Sequence, residues 1–228
     1  MAKVLVTGGA GFIGSHIVDR YIEQGHEVVV VDNLSTGKKE NLNPKARFHE
    51  FDICNPQLVR KLFKIERPDI VNHHAAQSSV PVSMKDPLFD AQNNIAGSLN
   101  LLCASTEFKV KKFIYANTGG ALYGQISHHK LPISEETEIH PISAYGCSKF
   151  AVEQYLYLFR YNYGLDYVSL RYPNIFGPRQ NPNGESGVVA IFTSKMMKRE
   201  IPVIFGDGFQ TRDFLYIKDV VDANELAI

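Results

Sequence analysis

The chain has 228 residues, of which 44% are hydrophobic and 21% are charged, as in an ordinary globular protein. Its 24 basic and 24 acidic residues give a formal net charge of zero, so we expect neither nucleic acid nor a membrane as a partner. The three cysteines, Cys54, Cys103 and Cys147, lack C-x-x-C spacing, which argues against a disulfide framework and a zinc site. Met1 leads directly into a strand pattern, and no apolar run approaches the ~18 residues of a membrane span. We therefore expect a cytoplasmic protein without a bound metal.

Strand and helix patterns alternate along most of the chain, which is typical of a parallel sheet with helices on both faces. The strands are predicted at residues 3–7, 28–31, 47–51, 69–73, 112–117 and 166–171. The helices are predicted to start near Phe12 and to occupy residues 56–65, 87–107 and 143–163. The sequence therefore predicts an α/β fold with a doubly wound parallel sheet.

The segment TGGAGFIG at residues 7–14 lies between the first strand and the first helix. Gly9, Gly11 and Gly14 satisfy the G-x-G-x-x-G pattern, in which missing side chains allow backbone N–H groups to approach a pyrophosphate. Asp32 ends the second strand, about twenty residues later, where a carboxylate can accept hydrogen bonds from the adenosine ribose and would repel a 2′-phosphate. The pattern predicts a Rossmann domain that binds NAD in preference to NADP.

The region after this domain has a different pattern. A loop rich in glycine, proline and asparagine at residues 177–187 precedes a predicted helix at 188–199, strands at 202–205 and 214–217, and a helix at 220–228. We assign residues 1–173 to the NAD-binding domain and residues 174–228 to the start of a C-terminal substrate lobe. The final helical pattern ends without a glycine cap, so we expect this lobe to be incomplete.

Tyr145 and Lys149 lie four residues apart near the start of a predicted helix and therefore share one face. An ammonium within ~4 to 6 Å of a phenol favours the phenolate, which can take a proton from a substrate hydroxyl during hydride transfer. With 11 tyrosines in the chain, this spacing alone also fits a solvated helix face. The preceding strand, however, delivers Thr118 to the carboxyl edge of the sheet, where ligands bind. We predict that these three residues form a catalytic set.

The motifs together resemble the extended short-chain dehydrogenase/reductase family over essentially the whole chain. The motifs that carry the resemblance are TGGAGFIG at 7–14, HHAAQSSV at 73–80, SAYGCSK at 143–149 and RYPNIFGPRQ at 171–180. Within that family the chain is most similar to nucleotide-sugar 4-epimerases that act on UDP-glucose and UDP-galactose. The resemblance implies NAD as the cofactor, a UDP-sugar as the substrate, and transient oxidation at C4 of the sugar.

The resemblance also implies a set of ligand contacts. For the cofactor these are Gly8, Gly11, Phe12, Ile13 and Gly14 at the pyrophosphate, Asp32, Asn33, Leu34, Ser35, Thr36 and Gly37 around the ribose, and Asp52 and Ile53 at the adenine. Along the rest of the cofactor groove they are His74, Ala75, Ala76, Gln77, Asn93, Tyr145, Lys149 and, beside the nicotinamide, Pro173. For the nucleotide-sugar they are Thr118, Asn174, Val188, Val189, Val203, Phe205 and Arg212.

The choice within the family depends on Gly119 and Gly120, which follow Thr118. Related 4,6-dehydratases carry an acid and a base there, usually Asp-Glu, so their absence favours return of the hydride and hence epimerisation. Three alternatives stay open. The chain could be a UDP-glucuronate or UDP-N-acetylglucosamine epimerase, a nucleotide-sugar reductase, or an NAD-binding fragment without turnover.

Two departures from the family pattern are His74, where an apolar residue is usual, and Asn117, which replaces a common serine. His73 and His74 point to opposite faces of a strand end, and His128 and His129 lie in a polar loop without nearby acidic or cysteine ligands, so we predict no metal site. Members of the family are often homodimers. The face of the predicted helix 143–163 that could form such an interface carries Tyr155, Leu156, Leu158 and Phe159.

Overall fold

A computed structural model describes residues 1–127, 131–182 and 187–228. The histidine pair at 128–129 and the central part of the predicted loop 177–187 lie outside the described residues. None of the described helices is long and apolar enough to cross a membrane.

Six parallel strands form one sheet in the order β3-β2-β1-β4-β5-β6. They are β1 Lys3–Thr7, β2 Glu27–Asp32, β3 Arg47–Glu50, β4 Ile70–His73, β5 Lys112–Thr118 and β6 Asp166–Tyr172. The strand order reverses between β1 and β4, and in such sheets ligands bind beyond the carboxyl ends of the strands at that point. The predicted doubly wound parallel sheet is confirmed.

The helices cover both faces of this sheet, and one apolar core lies between the helices and the sheet on each face. They are α1 Phe12–Glu23, α2 Pro56–Glu66, α3 Val80–Lys85, α4 Pro87–Ala91, α5 Gly97–Glu107, α6 Gly119–Leu122, α7 Ala144–Tyr163, α8 Val188–Met197 and α9 Ile217–Leu226. A separate pair of parallel strands consists of β7 Asn174–Phe176 and β8 Phe214–Tyr216.

The central strands are apolar along their length because both of their faces are buried. In β1, Leu5 packs into the core beneath α2, α5 and α7, whereas Val4 and Val6 pack into the opposite core beneath α1 and α9. The valines of β2 divide between the two cores in the same alternating way. A strand buried on both sides has no solvent face, which explains why these segments carry unbroken apolar runs.

Three predicted elements differ from the structure. The helix predicted at 87–107 contains one π-helical turn, Gln92–Ala96, between α4 and α5. The strand predicted at 202–205 is not a strand: this segment is not paired with any described strand, and the side chains of Val203 and Phe205 are 55% and 85% exposed. Its apolar residues match a strand pattern, but a strand also needs a neighbour to bond to. The last helix begins at Ile217, three residues earlier than predicted.

Helix α9 packs against α1 on the large sheet, although it lies within the range that we assigned to the second lobe. Asn224 fixes this contact from a fully buried position. Its amide donates to the Tyr172 hydroxyl at 2.6 Å and accepts from Asn72 Nδ2 at 2.9 Å, while Tyr21 donates its hydroxyl proton to the Asn224 carbonyl at 3.0 Å. The division at residue 174 stays a prediction, but α9 completes the core on one face of the six-stranded sheet.

We predict that Asn224→Ala lowers the free energy of unfolding by about 2–3 kcal/mol, because the buried side chains of Asn72 and Tyr172 each lose a hydrogen bond. Glu225→Ala is the matched control on the same helix. It removes a partly exposed ion pair with Arg20 and should cost less than about 1 kcal/mol. Urea unfolding measures both values, and equal losses in the two variants would contradict the role given to Asn224.

Candidate active site

The glycine-rich turn between β1 and α1 leaves no room for side chains. Gly8 has a φ of +70°, and a Cβ there would lie 2.7 Å from the backbone nitrogen of Ala75. A Cβ at Gly14 would lie 2.3 Å from the Gly8 carbonyl oxygen. Helix α1 begins at Phe12 without a side-chain cap, so its first N–H groups are available to an anion. This cradle fits a pyrophosphate in the place that the sequence predicts.

Asp32 lies at the end of β2 and is held in place by the backbone. Its two carboxylate oxygens accept hydrogen bonds from Ala10 N at 3.0 Å and from Leu34 N at 2.8 Å. Each oxygen keeps a lone pair that can accept from a ribose hydroxyl. Gly37 packs so close that a Cβ would lie 2.9 Å from Asp32 Oδ1. Ser35 and Thr36 form the exposed rim of this segment.

A second group of predicted cofactor residues, Asp52 and Ile53, lies in the loop after β3. Asn33 donates to Asp52 Oδ2 at 3.1 Å, which joins the ribose segment to the predicted adenine segment. The side chain of Ile53 is buried in the core, and its carbonyl accepts from Asn100 at 2.9 Å. Lys39, just after the predicted ribose segment, forms an ion pair with Glu50 at 2.9 Å.

The loop after β4 carries the next group of predicted cofactor residues. Ala75 N donates to the Thr7 hydroxyl at 3.2 Å, and Gln77 N donates to Asn94 Oδ1 at 2.9 Å. His74 stacks on Tyr172 with ring centroids 5.9 Å apart, and its Nδ1 is buried without a hydrogen-bond partner in the described chain. Of the remaining predicted residues, Ala76 is exposed, whereas Pro173, directly after β6, and Asn93, in the π-helical turn, are partly buried.

The structure brings the three predicted catalytic residues together. Thr118 ends β5, and its hydroxyl accepts from Ala121 N at 3.2 Å, which caps α6. The phenol of Tyr145, in the first turn of α7, lies near enough to this hydroxyl for Thr118 to lower the pKa of the phenol. Lys149 follows one turn later, with Nζ 5.9 Å from the centroid of the Tyr145 ring and 2.8 Å from the Ala116 carbonyl oxygen.

The electrostatics of the chain's own residues differ from the sequence-based expectation. Burial raises the pKa of Tyr145 to about 12, the charge of Asp90 adds to this rise, and the hydrogen bond with Thr118 opposes it. Burial also lowers the pKa of Lys149 to about 7. In the chain alone burial therefore outweighs the stabilisation of the phenolate that was expected from Lys149, because desolvation acts on both groups and also lowers the charge on the amine.

Sequence reasoning missed a polar cluster that is hydrogen-bonded to the backbone of Thr118. Asn117 accepts from Thr118 N at 2.8 Å, and its amide donates to Glu153 and to the Ser169 hydroxyl. Glu153 forms an ion pair with Arg171. Glu153 lies four residues after Lys149 on α7, so helical spacing from the predicted pair could have indicated it.

The predicted nucleotide-sugar residues lie on β7, α8 and the segment before β8. Asn174 joins β7 to this segment, because its backbone N and its Nδ2 both donate to the Asp213 carbonyl oxygen, at 3.0 and 3.1 Å. Val188 and Val189 occupy the first turn of α8. Arg212 is exposed and donates to the carbonyl of its neighbour Thr211 at 2.7 Å. Their roles stay predictions.

We predict that Gly14→Ala weakens NAD binding by about tenfold or more, because the new Cβ displaces the Gly8 carbonyl and widens the cradle. Gly187→Ala is the control, since a Cβ there meets nothing closer than 3.6 Å. Titration calorimetry with NAD gives both affinities. Unchanged affinity in a folded Gly14→Ala protein would contradict the placement of the pyrophosphate.

The chain matches the model of the NAD dependent epimerase/dehydratase family over residues 4–228. It is 52% identical to the solved UDP-glucose 4-epimerase of Thermotoga maritima with UDP-glucose, with a TM-score of 0.97, and the match covers 99% of this chain and 73% of that one. The Thermus thermophilus UDP-glucose 4-epimerase in complex with NAD gives 46% identity and a TM-score of 0.94, with coverages of 99% and 74%.

A third similar structure is a UDP-N-acetylglucosamine 4-epimerase of Methanobrevibacter ruminantium in complex with UDP-N-acetylmuramic acid. It is 42% identical with a TM-score of 0.92, over 99% of this chain and 72% of that chain. The predicted resemblance to extended short-chain dehydrogenases/reductases is thereby confirmed. With the family model matched along nearly its whole length, the chain belongs to the NAD-dependent epimerase/dehydratase family.

Proposed function

We propose that the chain is an NAD-dependent nucleotide-sugar 4-epimerase that interconverts UDP-glucose and UDP-galactose in the cytoplasm. The observation that carries the proposal is the grouping of Thr118, Tyr145 and Lys149 at the carboxyl edge of the sheet that also bears the glycine cradle. The similar structures named above, with UDP-glucose and with NAD, support the choice of ligands. The three free cysteines are consistent with a reducing compartment.

NAD, held by the glycine cradle and Asp32, would supply the acceptance and return of a hydride at C4 of the sugar. Tyr145 takes the proton from the C4 hydroxyl as the carbonyl forms and gives it back in the second half. Thr118, whose hydroxyl lies beside the same phenol, orients the C4 oxygen. Because burial keeps the phenol protonated at neutral pH, its ionisation depends on nearby positive charge, and Lys149 is the cation that the chain supplies there.

The residues after Thr118 favour epimerisation over loss of water. A Cβ at Gly120 would meet nothing nearer than the Thr118 hydroxyl at 3.9 Å, so a side chain has room there but the chain places none. Removal of water from a 4-keto sugar needs an acid and a base near the ring. With two glycines at this position, return of the hydride is the simpler outcome.

In this proposal, residues 174–228 bind the nucleotide. The Arg212 guanidinium would pair with the diphosphate, and Asn174, Val188, Val189, Val203 and Phe205 would contact the rest of UDP. Epimerisation needs the sugar to turn between the two hydride transfers. Firm contacts on UDP combined with few contacts on the hexose would permit that rotation.

We predict that the NAD-loaded chain converts UDP-galactose into UDP-glucose without accumulating NADH. Proton NMR of the anomeric signals, with absorbance of the reduced cofactor recorded in parallel, measures both. Tyr145→Phe should lower the rate by about 10²–10⁴-fold because it removes the proton acceptor. Tyr161→Phe, an exposed tyrosine on the same helix, is the control and should leave the rate unchanged.

Each other outcome has a defined meaning. Full turnover by Tyr145→Phe would contradict the mechanism, and stoichiometric consumption of NADH would indicate a reductase. An unchanged spectrum with NAD bound would contradict the choice of UDP-galactose, and the same assay with UDP-glucuronate and UDP-N-acetylglucosamine would then test the related epimerases. Failure with all three would favour an NAD-binding fragment without turnover.

We also propose that the protein forms a homodimer through adjoining helices α4 and α7. Of the residues predicted for this interface, Leu156 and Phe159 are buried within the domain and cannot meet a partner. Apolar side chains nevertheless remain exposed on the outer surface of these helices. They are Leu88 at 82%, Tyr157 at 62%, Leu158 at 45% and Tyr161 at 79%.

We predict that Leu158→Glu shifts the mass measured by light scattering after gel filtration from dimer to monomer, because a charge would be buried at the interface. Met197→Glu, at an 82% exposed position on α8, is the control and should not change the mass. A monomeric wild-type protein would contradict the proposal.

A further inference from the structure

The environment of Lys149 contains groups that the proposed reaction does not yet use. The lysine is 4% exposed, and its Nζ donates to the Ala116 carbonyl oxygen at 2.8 Å. The same Nζ lies 4.7 Å from the ring centroid of Tyr115, on β5 beneath it. Tyr115 is 1% exposed, so this cation–π contact is shielded from water. Such contacts are strongest when they are desolvated, and they favour the charged amine.

Burial alone acts against that charge. Burial lowers the pKa of Lys149 and the charge of Asp90 raises it, and together they leave it at about 7, so the amine is close to half protonated at neutral pH. The proposed role of Lys149 requires an ammonium beside Tyr145. The surroundings must therefore supply interactions that favour the protonated form over the neutral one.

A buried carboxylate lies on the adjoining helix. Asp90 in α4 is fully buried and accepts hydrogen bonds from Gln77 at 2.8 Å, from Asn94 at 2.9 Å and from the hydroxyl of Ser148 at 2.6 Å. Ser148 immediately precedes Lys149. Asp90 takes part in none of the ion pairs among the described residues. The negative charge of Asp90 raises the pKa of the Lys149 amine.

The other titratable groups around Lys149 do not carry charge at neutral pH or are already paired. Burial lowers the pKa of His73 well below its usual value and that of His74 to about 3, so both rings are neutral. Burial raises the pKa of both Tyr115 and Tyr145, so both phenols are neutral. Further along α7, Glu153 is paired with Arg171.

We propose that Tyr115 and Asp90 are positioning residues for Lys149. The ring face of Tyr115 and the carboxylate of Asp90 keep the buried Lys149 ammonium charged and hydrogen-bonded to the Ala116 carbonyl. Both side chains are buried, and the charge of Asp90 also raises the pKa of Tyr145, so the protonation of Lys149 itself is the readout that isolates their effect on the amine. The catalytic importance of these contacts with Lys149 rests on the proposed function, whereas the protonation of Lys149 is measurable without turnover.

Three substitutions separate the contributions. Tyr115→Leu removes the aromatic face. Tyr115→Phe keeps the face and removes only the hydroxyl, which is buried without a partner in the described chain, so it is the matched control. Asp90→Asn removes the charge, while the amide oxygen can still accept from Gln77 and Asn94 and the amide nitrogen can donate to a rotated Ser148 hydroxyl.

The test follows the side-chain ε-CH₂ signal of Lys149 by NMR against pH in the NAD-loaded chain labelled with ¹³C-lysine. The signal is assigned by its loss in Lys149→Arg. We expect the titration midpoint to fall by about one pH unit in Tyr115→Leu and in Asp90→Asn, and to stay unchanged in Tyr115→Phe. The alkaline limb of kcat/KM for UDP-galactose should move in the same direction.

Unchanged midpoints in folded Tyr115→Leu and Asp90→Asn proteins would overturn the proposal. An equal fall in Tyr115→Phe would also overturn it, since the hydroxyl and not the ring face would then be responsible. Tyr115→Met replaces Tyr115→Leu if thermal melting shows that the latter does not fold. The expected midpoint shifts without any turnover would refute the proposed function alone, and turnover with unshifted midpoints would refute this inference alone.

Discussion

Coverage of both sheet faces is the constraint on which the rest of the structure depends. Strands buried on two sides must be apolar along their length, so polar side chains can gather only where the strands end. Thr7 ends β1, His73 ends β4 and Thr118 ends β5, and all three reach the same carboxyl edge. The ring of His73 hydrogen-bonds to the Thr7 hydroxyl at 2.7 Å and to the Ser98 hydroxyl at 2.8 Å, which ties the two central strands to α5. The site is thus built on rigid elements.

The same burial sets the chemistry of the site. A phenol and an amine placed in a dry environment both favour their neutral forms, so the chain alone holds Tyr145 protonated and Lys149 only partly charged. Proton transfer to Tyr145 requires an ionised phenol and a protonated Lys149. The balance is therefore decided by the fixed charges and dipoles around them, among which Asp90 and the Ala116 carbonyl both act on the amine.

Periodicity predicted most of the fold because each element is defined by local pattern and by burial on known faces. The predicted strand at 28–31 is β2 with one residue added at each end, and the predicted helix from 143 begins at Ala144 after the Ser143 cap. The prediction failed at 202–205, where an apolar run was mistaken for a strand. Pairing is a property of the folded chain, and no local pattern states whether a partner will be present.

The candidate site was predictable in its members but not in its energetics. Motif spacing was enough to group Tyr145, Lys149 and Thr118, because helical spacing and strand ends are geometric. The direction of the Tyr145 pKa could not follow from spacing, since it depends on how much water the surrounding helices exclude and on Asp90, which is 55 residues away in sequence. Long-range contacts of this kind leave no periodic signal.

Asn117 shows how a departure from a family pattern can be read physically. A serine there offers one hydroxyl, whereas the asparagine amide accepts from the Thr118 backbone and donates to both Glu153 and Ser169. Glu153 is in turn fixed by Arg171, which also donates to the Tyr123 hydroxyl at 2.7 Å. The asparagine therefore extends a hydrogen-bonded cluster that holds the end of β5, where the Thr118 hydroxyl caps α6 beside the phenol of Tyr145.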